Sequence, residues 1–564
     1  MRRLLLLPLL SLLACATSAP TTTSAPPETR AATAPRTTPP RPRFVATGTA
    51  QRVVLMTFDG LGADELTRQR QLPAFEHLAR AGAVARVIPV NPTLTAPTHA
   101  SILTGADPQV HGVVANRFHV TGTPIEQTAH GLDVEVDVET IVDAAKRHGK
   151  RVGIVPFPGM DATTPRRTAD FGLVWTPALV PGRIVKLTRN DFKRDEWVPP
   201  TWSSRPQRRT SFSPIMRSRV EWTASRSLRI DIDVVAFDTT DDRRTNYDLY
   251  VIERGGEQEL PVDARGWFAI ARDQHGSWSK LLSTTPSLDV TLYWGPISRT
   301  RAYPESYRAM LDNEVGFWPG LPDEQSDVDP NTFAEQIERL SGFLTRAQTL
   351  TIQRMPFDLL LAYQPVIDQA GHNFLGYDDS VIRRAYVAAD RAAAAVGGQL
   401  DVNRDAFVVT GDHGLVPVER VVHMNRLLAD HGFAPRWRAY ASLSVAHLYR
   451  FSGKDDSGAL VKMLASSGFF ERVEKKSATS HADSGDIVAI AFPSIGLTPS
   501  EESPVVGEPD SYGQHGALNT HRELHTVLFA SGAGVPRGEL GEIAQTQIAR
   551  FVASLLGVPW SGGL

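Results

Sequence analysis

Short runs of consecutive apolar residues punctuate the chain from Arg52 onward. Val53-Val54-Leu55-Met56 leads to Asp59-Gly60, and similar runs recur at Asp358-Leu359-Leu360-Leu361, Phe407-Val408-Val409 and Thr526-Val527-Leu528-Phe529. Unbroken apolar character over so few residues predicts strands buried on both faces, as in a parallel sheet covered by helices. Helical patterns lie between them, at Leu72 to Ala81, Val138 to His148 and Pro330 to Ala347. This alternation predicts an α/β fold, doubly wound, with a mostly parallel sheet and helices on both faces. Ligands in such a fold bind beyond the carboxyl ends of the strands.

The pattern changes over residues 195–305. Leu228, Ile230, Ile232 and Val234 alternate with Arg229, Asp231 and Asp233, the period of a strand with one face wet. Seven of the ten tryptophans fall between Trp197 and Trp318. The segment therefore reads as a β-rich insertion in the larger domain spanning 51–564. Its tryptophans fit either a cap over the substrate or the packing of a separate small β core.

The N-terminus follows neither pattern. A basic start, an apolar run from Leu4 to Leu13 and small residues after it read as an export signal. Leu12-Leu13-Ala14-Cys15 resembles the bacterial lipobox, and Cys15 is the single cysteine. Residues 1–15 are thus expected to be a lipoprotein signal with Cys15 lipidated, which implies a membrane partner through a lipid anchor. The alternative is an ordinary signal cleaved after Ala16 or Ala19. The expected location is the exported bacterial cell envelope, as an outer-membrane lipoprotein or a periplasmic protein. Residues 16–50, rich in Ala, Thr, Pro and Ser, read as a disordered tether. A net charge of −3 gives no field that would make nucleic acid an obligate partner. Oligomeric state is not encoded in any of these features.

Candidate chemistry sits at the predicted strand ends. Asp59 closes the first run; Asp368-Gln369-Ala370-Gly371-His372 and Gly411-Asp412-His413-Gly414 follow later ones; Gly513-Gln514-His515-Gly516 precedes the last. Carboxylate and imidazole are natural ligands for zinc-like ions where no thiol is available. With them comes Thr95-Ala96-Pro97-Thr98-His99. Each motif alone is commonplace, but the ordered set is specific.

That set resembles the nucleotide pyrophosphatase/phosphodiesterase family of the alkaline phosphatase superfamily, over most of 52–194 and 330–560. The resemblance implies two divalent metal ions, with zinc expected. It assigns Asp59, Asp412, His413 and the Thr95 oxygen to one, and Asp368, His372 and His515 to the other. It makes Thr95 the nucleophile and Asn116, which lies 21 positions downstream, the ligand of a phosphoryl oxygen. The implied substrate is a small phosphoester, cleaved at a phosphodiester or pyrophosphate bond through a phospho-threonine intermediate. A hydroxyl is a poor nucleophile until a cation lowers its pKa, which is the physical sense of placing Thr95 among these ligands.

Three departures bear on the substrate. Position 98 is Thr where many relatives carry Asn. Position 96 is Ala where nucleotide-cleaving relatives often carry an aromatic residue. A Lys-x-Arg pair that grips monoesters in some relatives is missing from Ile154 to Gly159, while Arg166 and Arg167 read as surface charge. Diesters are therefore expected over monoesters. The alternatives are a phosphomonoesterase or phosphonate hydrolase with the same site, or a non-catalytic surface-binding lipoprotein. His99 and His111 are expected to orient or underlie the nucleophile loop, and His148 and His431 to sit at helix ends.

Overall fold

The structure, a computed structural model, describes residues 44–195, 211–225, 228–254, 258–262, 266–272, 274–321 and 328–562. Cys15, the export signal, the tether up to residue 43 and residues 196–210 of the insertion lie outside the described residues. Ordered packing begins within the stretch read as tether. Phe44 is buried and its ring stacks on Phe551 at 3.8 Å.

A nine-stranded sheet organises the main body. At its centre Arg52–Phe58 pairs in parallel with Leu359–Gln364 on one side and Asp405–Gly411 on the other. All residues of Leu359–Gln364 and Asp405–Gly411 are buried, as their unbroken apolar runs require. Successive side chains of the first strand enter different cores. Val54, Met56 and Phe58 pack with Phe333, Ile337 and Leu340 of the helix Pro330–Arg354. Val53 and Leu55 pack with Ile102 of Thr95–Thr104, Ile141 and Phe551. Both faces of the sheet are thus covered, and the doubly wound α/β reading holds. Two strands depart from the parallel pattern: Arg301–Tyr303 at one edge, antiparallel to Phe171–Val174, and Thr526–Gly532 inside the sheet. Thr526–Gly532 runs antiparallel to both Asp405–Gly411 and Ala83–Ile88. Burial on two faces does not encode strand direction.

The predicted helices form at Pro73–Ala81, Ile141–Arg147 and Pro330–Arg354. The last begins where Asp329 accepts a hydrogen bond from the Thr332 N–H at 3.0 Å, with Pro330 at the first helical position. Among the described residues no helix is long and apolar enough to cross a membrane.

The insertion is a β-sandwich that starts earlier than its composition suggests. It leaves the central sheet after Phe171–Val174 and returns at Arg301–Tyr303, which pairs antiparallel with that strand. One sheet includes Met216–Ser225, Leu228–Phe237 and Leu249–Arg254; the other holds Arg183–Leu187, Trp267–Arg272, His275–Thr284 and Val290–Trp294. Val234, Ile252, Ile270, Leu281 and Leu292 fill a core between them. Asp233, on the face read as wet, is buried and bonded to Arg217 and Arg219 at 2.8 and 2.9 Å. A further small body has no separate signal in the sequence. Trp437–Ser442, Val445–Arg450, Phe470–Lys475 and Ile487–Ala491 form a four-stranded sheet with its own apolar core.

Candidate active site

Sheet register brings the carboxylates together. Phe58 lies opposite Gly411 on neighbouring parallel strands, so Asp59 and Asp412 leave the sheet side by side. On the other flank, Leu359–Gln364 leads into the helix Val366–Phe374, which carries Asp368 and His372 one turn apart. The Asp368 N–H donates to the Asp59 carbonyl at 3.0 Å. Gly60 makes this approach possible. Its φ is +75°, and a Cβ there would stand 2.9 Å from the Asp368 Cα. Its N–H donates to Asp412 Oδ1 at 3.0 Å.

Thr95 is the first residue of the helix Thr95–Thr104 and is half-buried, with Oγ1 3.2 Å from His413 Nε2. Asn116 Oδ1 accepts the Ala96 N–H at 2.9 Å, which fixes the amide beside Thr95. Asp59, Thr95, Asn116 and Asp368 line one cavity of about 670 Å³. His99, wholly buried, donates from Nδ1 to the Thr95 carbonyl at 2.9 Å, and His111 meets Ser101 Oγ at 3.0 Å. Both brace the helix that begins at Thr95 and stand outside the groups of candidate metal donors.

Three imidazoles share one arrangement. Nδ1 of His372, His413 and His515 faces the carbonyls of Gly513, Gly414 and Thr93 at 2.8, 3.2 and 2.8 Å. A carbonyl only accepts, so each Nδ1 carries the proton and each Nε2 is left as a donor atom toward the carboxylates. His413 Nε2 is 3.3 Å from Asp59 Oδ1 and 3.1 Å from Asp412 Oδ2. His372 Nε2 is 3.3 Å, and His515 Nε2 3.7 Å, from Asp368 Oδ1.

The donor set fits divalent cations. Oδ1 of Asp59 and Oδ1 of Asp368 are buried without a hydrogen-bond partner, a costly state for a carboxylate unless a cation neutralises it. Ligand atoms of Asp59, Asp412 and His413 lie within 4.8 Å of one another, as do those of Asp368, His413 and His515. The six expected Asp and His residues therefore converge. Their grouping differs in one respect: His413 stands between both groups, and His372 joins through Asp368 alone.

Electrostatics carry the same message. Burial, reinforced by Asp412 and Asp368, pushes the Asp59 carboxyl well above its usual range. Burial beside Asp368 pushes Asp412 up to about 7. Burial also opposes the charge of Asp368, but His372 and His515 outweigh it and hold that carboxyl below the usual range. Burial lowers the His413 imidazole far below its ordinary value and His515 to about 4. Crowded carboxylates beside neutral imidazoles are poised for cations.

Two residues carry more than the sequence suggests. Tyr363 lies opposite Thr57 in the register, and its hydroxyl donates to Asp59 Oδ2 at 2.6 Å. Its signal, a lone tyrosine in an apolar strand, is ordinary core chemistry. Tyr363→Phe should lower cation affinity by about tenfold to a hundredfold, the usual effect of removing a partner of a ligand. Zinc titration of activity checks this, with kcat recovering at high zinc. Arg167 is not surface charge. It is buried, pairs with Asp161 at 2.8 Å and bonds the Gly159 carbonyl at 3.1 Å, bracing the cavity wall.

A mostly parallel sheet with a helix-terminal threonine and convergent Asp and His donors at its strand ends defines a class. It is that of metal-dependent phosphoester hydrolases of alkaline phosphatase-like fold. The chain belongs to the type I phosphodiesterase / nucleotide pyrophosphatase family, whose model matches residues 53–517. It is 29% identical over 170 residues to bis(5'-adenosyl)-triphosphatase enpp4 of Xenopus laevis, a match spanning 29% of this chain and 34% of that relative's length. Murine ectonucleotide pyrophosphatase/phosphodiesterase 5, solved also as an inactive threonine-to-alanine variant in complex with AMP, superposes with a TM-score of 0.52. That match has 15% identity and covers 91% of this chain and 97% of the other. Phosphonoacetate hydrolase of Sinorhizobium meliloti, in complex with phosphonoformate, gives 0.50 at 15% identity, over 91% and 96%.

Proposed function

We propose that this protein hydrolyses phosphodiester or pyrophosphate bonds through a covalent intermediate on Thr95. The observation that carries this is the Thr95 hydroxyl, 3.2 Å from His413 Nε2 at a helix N-terminus. Two divalent cations, zinc being the expected metal, would be held by Asp59, Asp412, His413 and the Thr95 oxygen, and by Asp368, His372 and His515. When bound they supply the charge that lowers the hydroxyl pKa and stabilises the leaving oxygen.

Thr95 Oγ attacks phosphorus as the bond to the leaving alkoxide or phosphate breaks, and water then cleaves the Thr95 ester to return the free hydroxyl. The amide nitrogen of Asn116, whose oxygen is engaged by Ala96, donates to a non-bridging oxygen. The helix dipole, positive at this end, favours the same anionic group. The inactive threonine-to-alanine relative supports this role for Thr95.

The cavity wall favours a substrate with a second substituent. Phe157, Trp175 and Tyr363 line it, and Arg301 is the single Lys or Arg doing so among the described residues. Ala96 is buried against Ala100 and Val113 and gives the cavity no aromatic surface. Phe157 and Trp175 offer flat apolar surface in the cavity wall. The AMP-bound relative and the triphosphatase relative make nucleotide-type esters the first class to try. With zinc-loaded protein, bis-p-nitrophenyl phosphate should be cleaved with kcat/KM at least about a hundredfold above the monoester, about 2.7 kcal/mol in the barrier. A faster monoester rate would favour a phosphomonoesterase instead. An envelope location with Cys15 lipidated completes the proposal, and labelling with a radioactive fatty acid, lost in Cys15→Ala, tests it.

A further inference from the structure

A second cleft lies away from Thr95, where the β-sandwich meets the helix Pro330–Arg354. It has a volume of about 460 Å³, with Trp267 and Trp278 of the sandwich, Phe317, and Arg339, Gly342 and Arg346 of the helix in its walls. Arg339, Gly342 and Arg346 stand at positions i, i+3 and i+7, on one helix face.

We propose that this cleft is an oxyanion-binding site, in which Arg339 and Arg346 receive a phosphate-like or carboxylate group carried on a small organic molecule. The Arg339 guanidinium is clamped between two indoles, 4.6 Å from the Trp267 ring and 4.5 Å from the Trp278 ring. Such a clamp fixes the plane of the guanidinium and leaves its N–H edge to recruit an acceptor. Its buried Nε has no hydrogen-bond partner. Glu335 and Glu338 also line the cleft and act on the Arg339 charge through space, but their hydrogen bonds go to other groups. Glu335 pairs with Lys280 at 2.7 Å, and Glu338 makes a two-pronged contact with Arg384 at 2.7 Å. Neither Arg339 nor Arg346 forms an ion pair with a described residue.

Gly342 adds a separate observation. Glycine weakens a helix interior, yet nothing in the packing demands it here. A Cβ at 342 would meet only Arg346 Nη1, at an ordinary 3.5 Å. Its effect is to keep the floor between the two guanidinium groups open. The cleft is larger than inorganic phosphate needs, and Val315 and Phe317 line it. They offer an apolar surface to the body of the ligand.

The test uses phenylphosphonate, titrated calorimetrically into the zinc-loaded protein. Wild type should show a binding component that persists when the catalytic cavity is saturated with a competing diester analogue. Arg339→Gln and Arg346→Gln should each weaken that component by about tenfold or more, as loss of a charge-assisted bond does. Both should keep kcat/KM on bis-p-nitrophenyl phosphate within about twofold, as expected for distant sites. If Arg339→Gln disturbs folding, Arg346→Gln decides alone, since its side chain is exposed. Isotherms identical to wild type in Arg346→Gln, or binding wholly displaced by the diester analogue, would overturn the proposal.

Discussion

Replacing Thr95 with alanine should lower kcat on an aryl phosphodiester by on the order of 10⁴-fold or more, the scale seen when a covalent nucleophile is removed. The loss should be almost entirely in kcat. The six Asp and His side chains that converge on the cavity do not depend on the Thr95 hydroxyl for their placement. Asp59 is held by Tyr363, Asp412 by the Gly60 N–H, and the imidazoles by backbone carbonyls. With Asp59, Asp412 and His413 still in place for the cation that loses the Thr95 oxygen, metal content of the zinc-loaded protein should stay near the wild-type level. Thr98→Ala is the matched control. Thr98 Oγ1 donates to the Leu94 carbonyl at 2.8 Å and lies 3.4 Å from Asp412 Oδ2, so its loss touches helix geometry and not the attacking atom. Its kcat should fall by no more than about tenfold, in line with one lost neutral hydrogen bond of about 1 kcal/mol. Steady-state kinetics with parallel metal analysis measure both.

Stripping cations with a chelator should abolish turnover and also destabilise the fold. Asp59, Asp368 and Asp412 are buried within one cluster, and the first two each keep a buried oxygen without a partner. Cations that bind the folded state at about a thousand times their dissociation constant add about 4 kcal/mol each. Their removal should lower Tm by roughly 5 °C or more, read by calorimetry before and after zinc is restored. The pH dependence has a definite sign. Asp412, pushed up to about 7 by burial and Asp368, carries a proton in the cation-free site at acidic pH. Loading expels that proton, so affinity should rise as pH climbs toward 7 and level off above it. Affinity that falls with rising pH over this window would contradict the assigned ligands.

Much of this was legible in the sequence, for physical reasons that also mark the limits. Strands such as Leu359–Gln364 and Asp405–Gly411 are apolar throughout because both faces are covered, and that is visible residue by residue. The direction of Thr526–Gly532 was not, because burial is the same in either sense. The sandwich announced itself by period two at Leu228 to Val234, but its first strand, Arg183–Leu187, has no comparable alternation. Its Asp233 is buried because Arg217 and Arg219, from the neighbouring strand, compensate its charge. The candidate site was readable because Asp59, Asp412 and Asp368 fall at or just beyond strand ends, where backbone geometry delivers them to one place. Tyr363 was hidden, since only the register that sets it opposite Thr57 reveals its reach to Asp59. Arg167 looks like surface charge in the sequence because its partners, Asp161 and the Gly159 carbonyl, belong to a loop whose path the sequence does not specify.

In the proposed cycle Thr95 carries the phosphoryl group between two half-reactions. Acid quench of zinc-loaded enzyme during turnover of a labelled diester, followed by peptide mass analysis, tests it most directly. A phosphoryl adduct on the peptide containing Thr95, absent in Thr95→Ala, is the predicted result. Turnover at the wild-type rate in Thr95→Ala, with no adduct in either protein, would contradict it.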